Sequence, residues 1–171
     1  TNLIMKYSLK KIALITEIIG GVALFLSLIF VGIQFKENTT ATKSATANAA
    51  NAITVSWYTE TGNSKQSSQL LWDYIKNPKS ITTAAEKYQA TILLHGLILS
   101  FQNNYYLANE GTLDQNVQES LTASISSIKN QPGWQEYWKN RESHFFSEFR
   151  DYMNSILKSD SEVDEGIYKD L

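Results

Sequence analysis

Side chains able to do chemistry are sparse in this 171-residue sequence, and their spacing is the first constraint on what it does. There are two histidines, His95 and His144, and no cysteine, so disulfides, thiolate metal sites, iron–sulfur clusters and a cysteine nucleophile are excluded. Carboxylate-rich metal sites in helical bundles need Glu-x-x-His, whereas Glu142 stands two residues before His144, which disfavours a di-metal centre. His95 lies among Leu93, Leu94, Leu97 and Ile98, the setting of a hydrogen-bonded core or groove histidine rather than a metal ligand. His144 follows Arg141, Glu142 and Ser143 and reads as a surface residue near a helix start. Serines and threonines are abundant but show no pairing with a histidine and an acid. Gly-rich phosphate loops, the G-x-S-x-G elbow, H-E-x-x-H and the EF-hand loop are all missing from the sequence. The expectation is a protein that is not an enzyme and carries neither a metal nor an organic cofactor.

Aromatic residues are the richer feature. Phe101, Tyr105, Tyr106, Trp134, Tyr137, Trp138, Phe145, Phe146 and Phe149 crowd the second half of the chain. One reading makes them a core of large rings whose hydroxyl and indole N–H groups are bonded at its edge. The sharper reading puts His95, Asn103, Tyr106, Trp134 and Trp138 along a groove for a peptide, lipid or small molecule. Asn103, Asn104 and Asn109 would then supply polar fixing groups.

The elements that must position these residues begin with an apolar run. Ile12 to Ile33 is 22 residues with Glu17 as its single charge. As a helix it covers about 33 Å, enough for a bilayer core of about 30 Å. Lys6, Lys10 and Lys11 precede it, as in a secretory signal, but a signal's apolar region is shorter and is followed soon by a small-residue cleavage site. Here the nearest such triplet, Ala45-Thr46-Ala47, lies far beyond Ile33, so an uncleaved transmembrane helix over 12–35 is predicted. Lys36 and Lys43 are the cations within reach on the far side. The positive-inside rule therefore leans, by one charge, towards a cytoplasmic N-terminal flank over 1–11 and a domain outside, across a bacterial inner membrane. Met5, just before the lysines, is read as the natural initiator.

Steps of four and three through the span give Ala13, Glu17, Gly20, Leu24, Ser27, Val31 and Gln34, a small and polar face of the kind that packs helices closely in lipid. Glu17, Gly20, Ser27 and Gln34 are the predicted partner-facing residues, with Glu17 making a polar contact to a partner helix. The register continues through Asn38, Ala41, Ala45, Asn48, Ala52 and Val55, and no Gly or Pro interrupts residues 34–61. A helical stalk over 36–62 is expected. Its threonines lower helix propensity, so it needs packing. Gly62-Asn63-Ser64 is the first turn signal.

A helical bundle is predicted over 63–158. A helix from Ser67 to Lys76 carries Leu70, Leu71, Tyr74 and Ile75 and stops at Asn77-Pro78. Thr83-x-x-Glu86 is a capping box for a long helix with Tyr88, Ile92, Leu93, His95, Leu99, Gln102 and Tyr106 as its apolar stripe. After Gly111, a second box, Thr112-x-x-Gln115, opens a helix whose buried stripe is Leu113, Val117, Leu121, Ile125 and Ile128. Past Gln131-Pro132-Gly133 come a short aromatic helix and a last helix from about Ser143. Residues 159–171 form an acidic tail, expected to be disordered or docked on a partner. Strands have no support.

The charges balance at 15 basic and 17 acidic, giving no basic face for nucleic acid. The mean hydropathy of −0.26 averages an almost uncharged span with a more polar remainder.

"TEIIGGVALFLSLIFVGIQFKENTTATKSA", "FQNNYYLANEGTLD" and "QPGWQEYWKNRESHFFSEFRDYMNSIL" together resemble a broad group of small uncharacterised bacterial single-pass membrane proteins. The shared order is a Glu and a Gly in an apolar span, Gln-x-basic-x-Asn-Thr, an Ala-rich helix, Asn-x-x-Tyr, Gly-x-Leu-Asp, Pro-Gly, a Trp and Phe-x-x-Glu-Phe. The likeness implies a membrane-anchored all-α protein and carries over no activity. Other members often have few basic residues before the span and arginines after it, the opposite of Lys6, Lys10 and Lys11 here.

The sequence thus predicts an all-α protein with a transmembrane helix continuing into a long stalk and a small bundle. Its expected role is a non-catalytic accessory or scaffold subunit engaging the bilayer and a membrane-protein partner or a second copy. A membrane-tethered module binding a lipid or small molecule is the alternative.

Overall fold

A computed structural model describes residues 2–159, with side chains from Leu9 onward. Every element among the described residues is helical: α1 (Asn2–Asn63), α2 (Lys65–Lys76), α3 (Ala84–Asn109), α4 (Gln115–Ile128), α5 (Pro132–Arg141) and α6 (Ser147–Lys158), with 3-10 turns at Pro78–Ser80 and Glu142–His144. The all-α expectation, a long N-terminal helix followed by a small bundle, is what the protein shows. The tail expected over 159–171 lies, beyond Ser159, outside the described residues, as do the side chains of Met5 and Lys6. The chain divides into two compact units at residues 42 and 43, inside the segment read as stalk.

In the first unit every described side chain is exposed. The large apolar residues from Leu9 to Phe35 are between 46% and 73% exposed. Its polar side chains help themselves: the hydroxyls of Thr16, Thr39 and Thr40 donate to carbonyls one turn back, at 3.0, 2.8 and 3.0 Å.

In the second unit, the stalk packs, as its threonine content requires, but on a face different from the expected register. Ala50 and Thr61 are buried and Thr46, Ala47, Thr54 and Trp57 half-buried, while Ala45, Asn48, Ala52 and Val55 face solvent. Two bonds fix that choice. Trp57 Nε1 donates to the Leu93 carbonyl of α3 at 2.8 Å, and the Ser68 hydroxyl of α2 donates to the Thr61 carbonyl at 2.7 Å.

α2 is capped by Ser64, whose hydroxyl accepts from the Ser67 N–H, and buries Leu70, Leu71, Tyr74 and Ile75 before Asn77-Pro78 ends it. The Thr83 cap of α3 is also as read, accepting from the Glu86 N–H at 3.2 Å. The buried stripe of α3 is not. Ala90, Leu94, Leu97, Ile98, Phe101 and Asn104 go inside, whereas Tyr88, Ile92, Leu99 and Tyr106 are 66%, 43%, 43% and 52% exposed. α3 is apolar nearly all the way round, so three-and-four spacing fits two registers, and contacts with α2, α4 and α6 select one.

Gly111, at φ +70°, turns the chain out of α3, and the Thr112 hydroxyl and the Thr112 and Leu113 N–H groups donate to the Leu107 carbonyl. Thr112 is therefore spent on the end of α3, and the cap of α4 is Asp114, which accepts from the Asn116 N–H at 2.9 Å. The expected α4 stripe holds: Leu113, Ile125 and Ile128 are buried and Val117 and Leu121 half-buried. The last helix starts later than Ser143. A 3-10 turn occupies Glu142–His144, Phe145 and Phe146 are extended, and α6 begins at Ser147.

The rings form the core. Trp134 stacks on Tyr137 and Trp138 at centroid distances of 5.6 and 6.2 Å, and Trp138 on Phe145 at 5.5 Å. Trp138 Nε1 donates to Asn154 Oδ1 at 2.9 Å, while Trp134 Nε1 is buried without a hydrogen bond. Buried Lys129 donates to the Ser159 carbonyl oxygen at 2.7 Å, closing the end of α6.

α5 reaches this core through Gly133, where a Cβ would stand 2.0 Å from the Tyr74 carbonyl oxygen. Gly133→Ala should destabilise the protein by about 3 kcal/mol, because backbone cannot yield as a side chain can. Gly62→Ala, with nothing within 4 Å of the new methyl, should be neutral or stabilise by up to about 1 kcal/mol. Chemical denaturation of the detergent-solubilised protein followed by circular dichroism distinguishes the two.

Candidate functional site

Two places merit functional reading, one in each unit. On α1, Glu17, Gly20, Ser27 and Gln34 are spaced by three, seven and seven residues and so share one helix face, and all four are exposed. A Cβ at Gly20 would meet nothing within 4 Å.

The second place is a polar cluster at the edge of the bundle core. It brings together both histidines, which are 49 residues apart in sequence. His95, half-buried on α3, has Nδ1 2.8 Å from the Tyr137 hydroxyl of α5. Its ring lies 6.0 Å from that of His144, nearly perpendicular, and 5.2 Å from Phe145. Arg141, at the end of α5, donates from Nη1 to His144 Nε2 at 3.1 Å. The 3-10 turn makes this possible: by ending α5 at Arg141 it folds His144 back beside the helix it has just left.

Burial pushes the Tyr137 phenol well above its ordinary range, and burial, with Glu136 second, raises that of Tyr74. Both stay protonated at neutral pH. His95 is held below the ordinary histidine value by its burial first, then by the positive charge of Arg141 and the neighbouring His144 ring. A neutral imidazole is a far better acceptor than a phenol oxygen, so Tyr137 O–H donates to His95 Nδ1 and the ring hydrogen sits on Nε2. Likewise Arg141 can only donate, which leaves the His144 hydrogen on Nδ1. Among the described residues no group of three or more His, Cys, Asp and Glu could hold a metal ion.

The residues of the sequence-predicted groove are not gathered around one opening. Trp134 and Trp138 are core residues at 0% and 4% exposure. Asn103 and Tyr106 lie on the outward face of α3, and His95 sits at the core edge. Of the asparagines, Asn104 is buried while Asn103 and Asn109 are exposed. A surface cleft of about 530 Å³ lies elsewhere, lined by Lys65, Gln69, Leu70, Asp73, Ile81 and Glu86, and includes none of the five. Sequence reading missed Tyr137 and Arg141 as partners of His95 and separated His144 from it. Only an i, i+4 relation between Tyr137 and Arg141 was there to be found.

No protein-family model, curated protein or solved structure matches the chain.

The depressed His95 pKa has a stability consequence. Its folded value lies below the unfolded one, so its contribution is complete above the ordinary value near pH 6.5. That contribution is lost as pH falls through the folded value. A histidine NMR titration should place the His95 midpoint below that ordinary value, and Arg141→Gln should move it partway back up.

Proposed function

We propose that this is a single-pass membrane protein, anchored by residues 12–35 of α1 and presenting its helical bundle as a non-catalytic accessory or scaffold module. The observation that carries the reading is the run of large apolar side chains between Leu9 and Phe35, all exposed, on a helix long and apolar enough to cross a bilayer. A buried core helix passes the same length test but is covered by its own protein; this one has none of its apolar window covered. In water such a surface would be unstable by the free energy of transferring more than a dozen large apolar side chains, each worth roughly 1.5–3 kcal/mol. Lipid removes that cost.

Within lipid, apolar surface gives helices no reason to associate, so close-packing small residues and polar contacts decide partners. On this reading Gly20 and Ser27 allow a second helix near, and Glu17 and Gln34 hydrogen-bond across the contact. The partner is a membrane protein or a second copy of the chain, with no role for nucleic acid. Lys6, Lys10 and Lys11 favour the N-terminal flank in the cytoplasm of a bacterium and the bundle outside. The resemblance to small bacterial single-span proteins agrees with this reading.

The protein should stay with membranes through alkaline carbonate extraction. Combined Val22→Arg and Leu26→Arg, each costing roughly 2.5–3.5 kcal/mol near the centre of a span, should release it. The chain lacks cysteine, so Ser27→Cys gives a clean probe: oxidation in native membranes should join two copies through the introduced thiols, or a copy to a partner thiol at the contact, and Leu28→Cys should not. A protein extracted by carbonate, or monomeric whichever position carries the thiol, contradicts the proposal.

A further inference from the structure

We propose that His95, Arg141 and His144 form a binding site for a phosphate-type oxyanion where α3, α5 and the 3-10 turn meet. The argument is an inventory of donors. Arg141 has five N–H groups and gives one to His144; among the described residues no carboxylate pairs with it. Tyr137 occupies His95 Nδ1, so its Nε2–H has no acceptor, and Arg141 occupies His144 Nε2, so the same holds for its Nδ1–H. Three side chains from three elements thus converge with donors to spare, and among the described residues nothing accepts them.

The surrounding charges point the same way. The charge that acts most strongly on His95 is that of Arg141, and it is positive. Buried Phe145 and the Tyr137 ring supply an apolar wall of low dielectric, against which a charge-assisted bond is stronger than in open water. The site is reachable, since His144 is exposed and His95 and Arg141 are half-exposed. A cation is repelled here and a neutral donor finds no acceptor. A tetrahedral dianion offers enough oxygens for the Arg fork and both rings at once. Binding also favours the charged form of His95, so affinity rises as pH falls.

This inference stands independently of the membrane reading. Its test is histidine NMR on the full chain in neutral detergent, with His144→Gln to assign the His95 signals. At equal ionic strength, inorganic phosphate should raise the His95 midpoint by about half a unit or more relative to chloride. Arg141→Gln should abolish that shift and weaken phosphate binding at least about tenfold. Arg141→Lys, which keeps the charge but loses the fork, should fall between, and Arg150→Gln should behave as the parent. Nanodiscs containing phosphatidic acid, set against phosphatidylcholine alone, tell whether a lipid headgroup supplies the anion: the same shifts there with none from free phosphate assign it to lipid. Midpoints no different from chloride in both arms, or a shift that survives Arg141→Gln with the fold intact by circular dichroism, overturn the proposal.

Discussion

The close approach of Gly133 to the backbone of Tyr74 is the contact on which the rest of the bundle depends. Only a residue without a Cβ lets α5 lie directly on α2. Pro132 sets up the same position by starting α5 where its missing N–H costs nothing. Once α5 is seated there, its three-and-four spacing carries Trp134, Tyr137 and Trp138 into the core together. Tyr137 then projects its hydroxyl to His95, and Arg141, one turn on, marks the place where the chain must turn. A backbone contact of two residues thereby fixes both the aromatic core and the polar cluster on its edge.

α3 shows the opposite situation, in which the sequence permits too much. Both of its long faces are apolar, and the one that appears more regular on paper, through Tyr88, Ile92, Leu99 and Tyr106, is left outside. What settles the register is the partner list: α2, α4 and α6 bring their own apolar stripes against Ala90, Leu94, Leu97, Ile98 and Phe101. Trp57 adds a directional constraint, since its indole N–H reaches the Leu93 carbonyl only from the side of α3 that the stalk covers. This register separates Asn103 and Tyr106 from the tryptophans and dissolves the groove that the residue types alone suggested.

α1 follows a third rule. Along the first unit every described side chain is exposed, so the distribution of residue types is all there is to read, and the uncovered apolar surface is consistent with the transmembrane reading. Along the stalk, by contrast, the small and polar face that continues the span's register stays exposed, and a neighbouring face is the one that packs.

Taken by itself, the sequence determined the features that rest on local interactions. These are the helices, the turn at Gly62-Asn63-Ser64, the cap at Thr83 and the stop at Asn77-Pro78, the single-sided stripe of α4, the aromatic core, and the length and apolarity of α1. Local rules suffice there because a cap, a proline or a one-faced stripe has one low-energy use. Only the tertiary structure decided which face of α3 and of the stalk goes inside, that Thr112 closes one helix while Asp114 opens the next, and that two histidines 49 residues apart meet. Those choices depend on competition between distant segments for the same surface. The energy differences among the alternatives arise from packing, which no spacing along one chain segment contains.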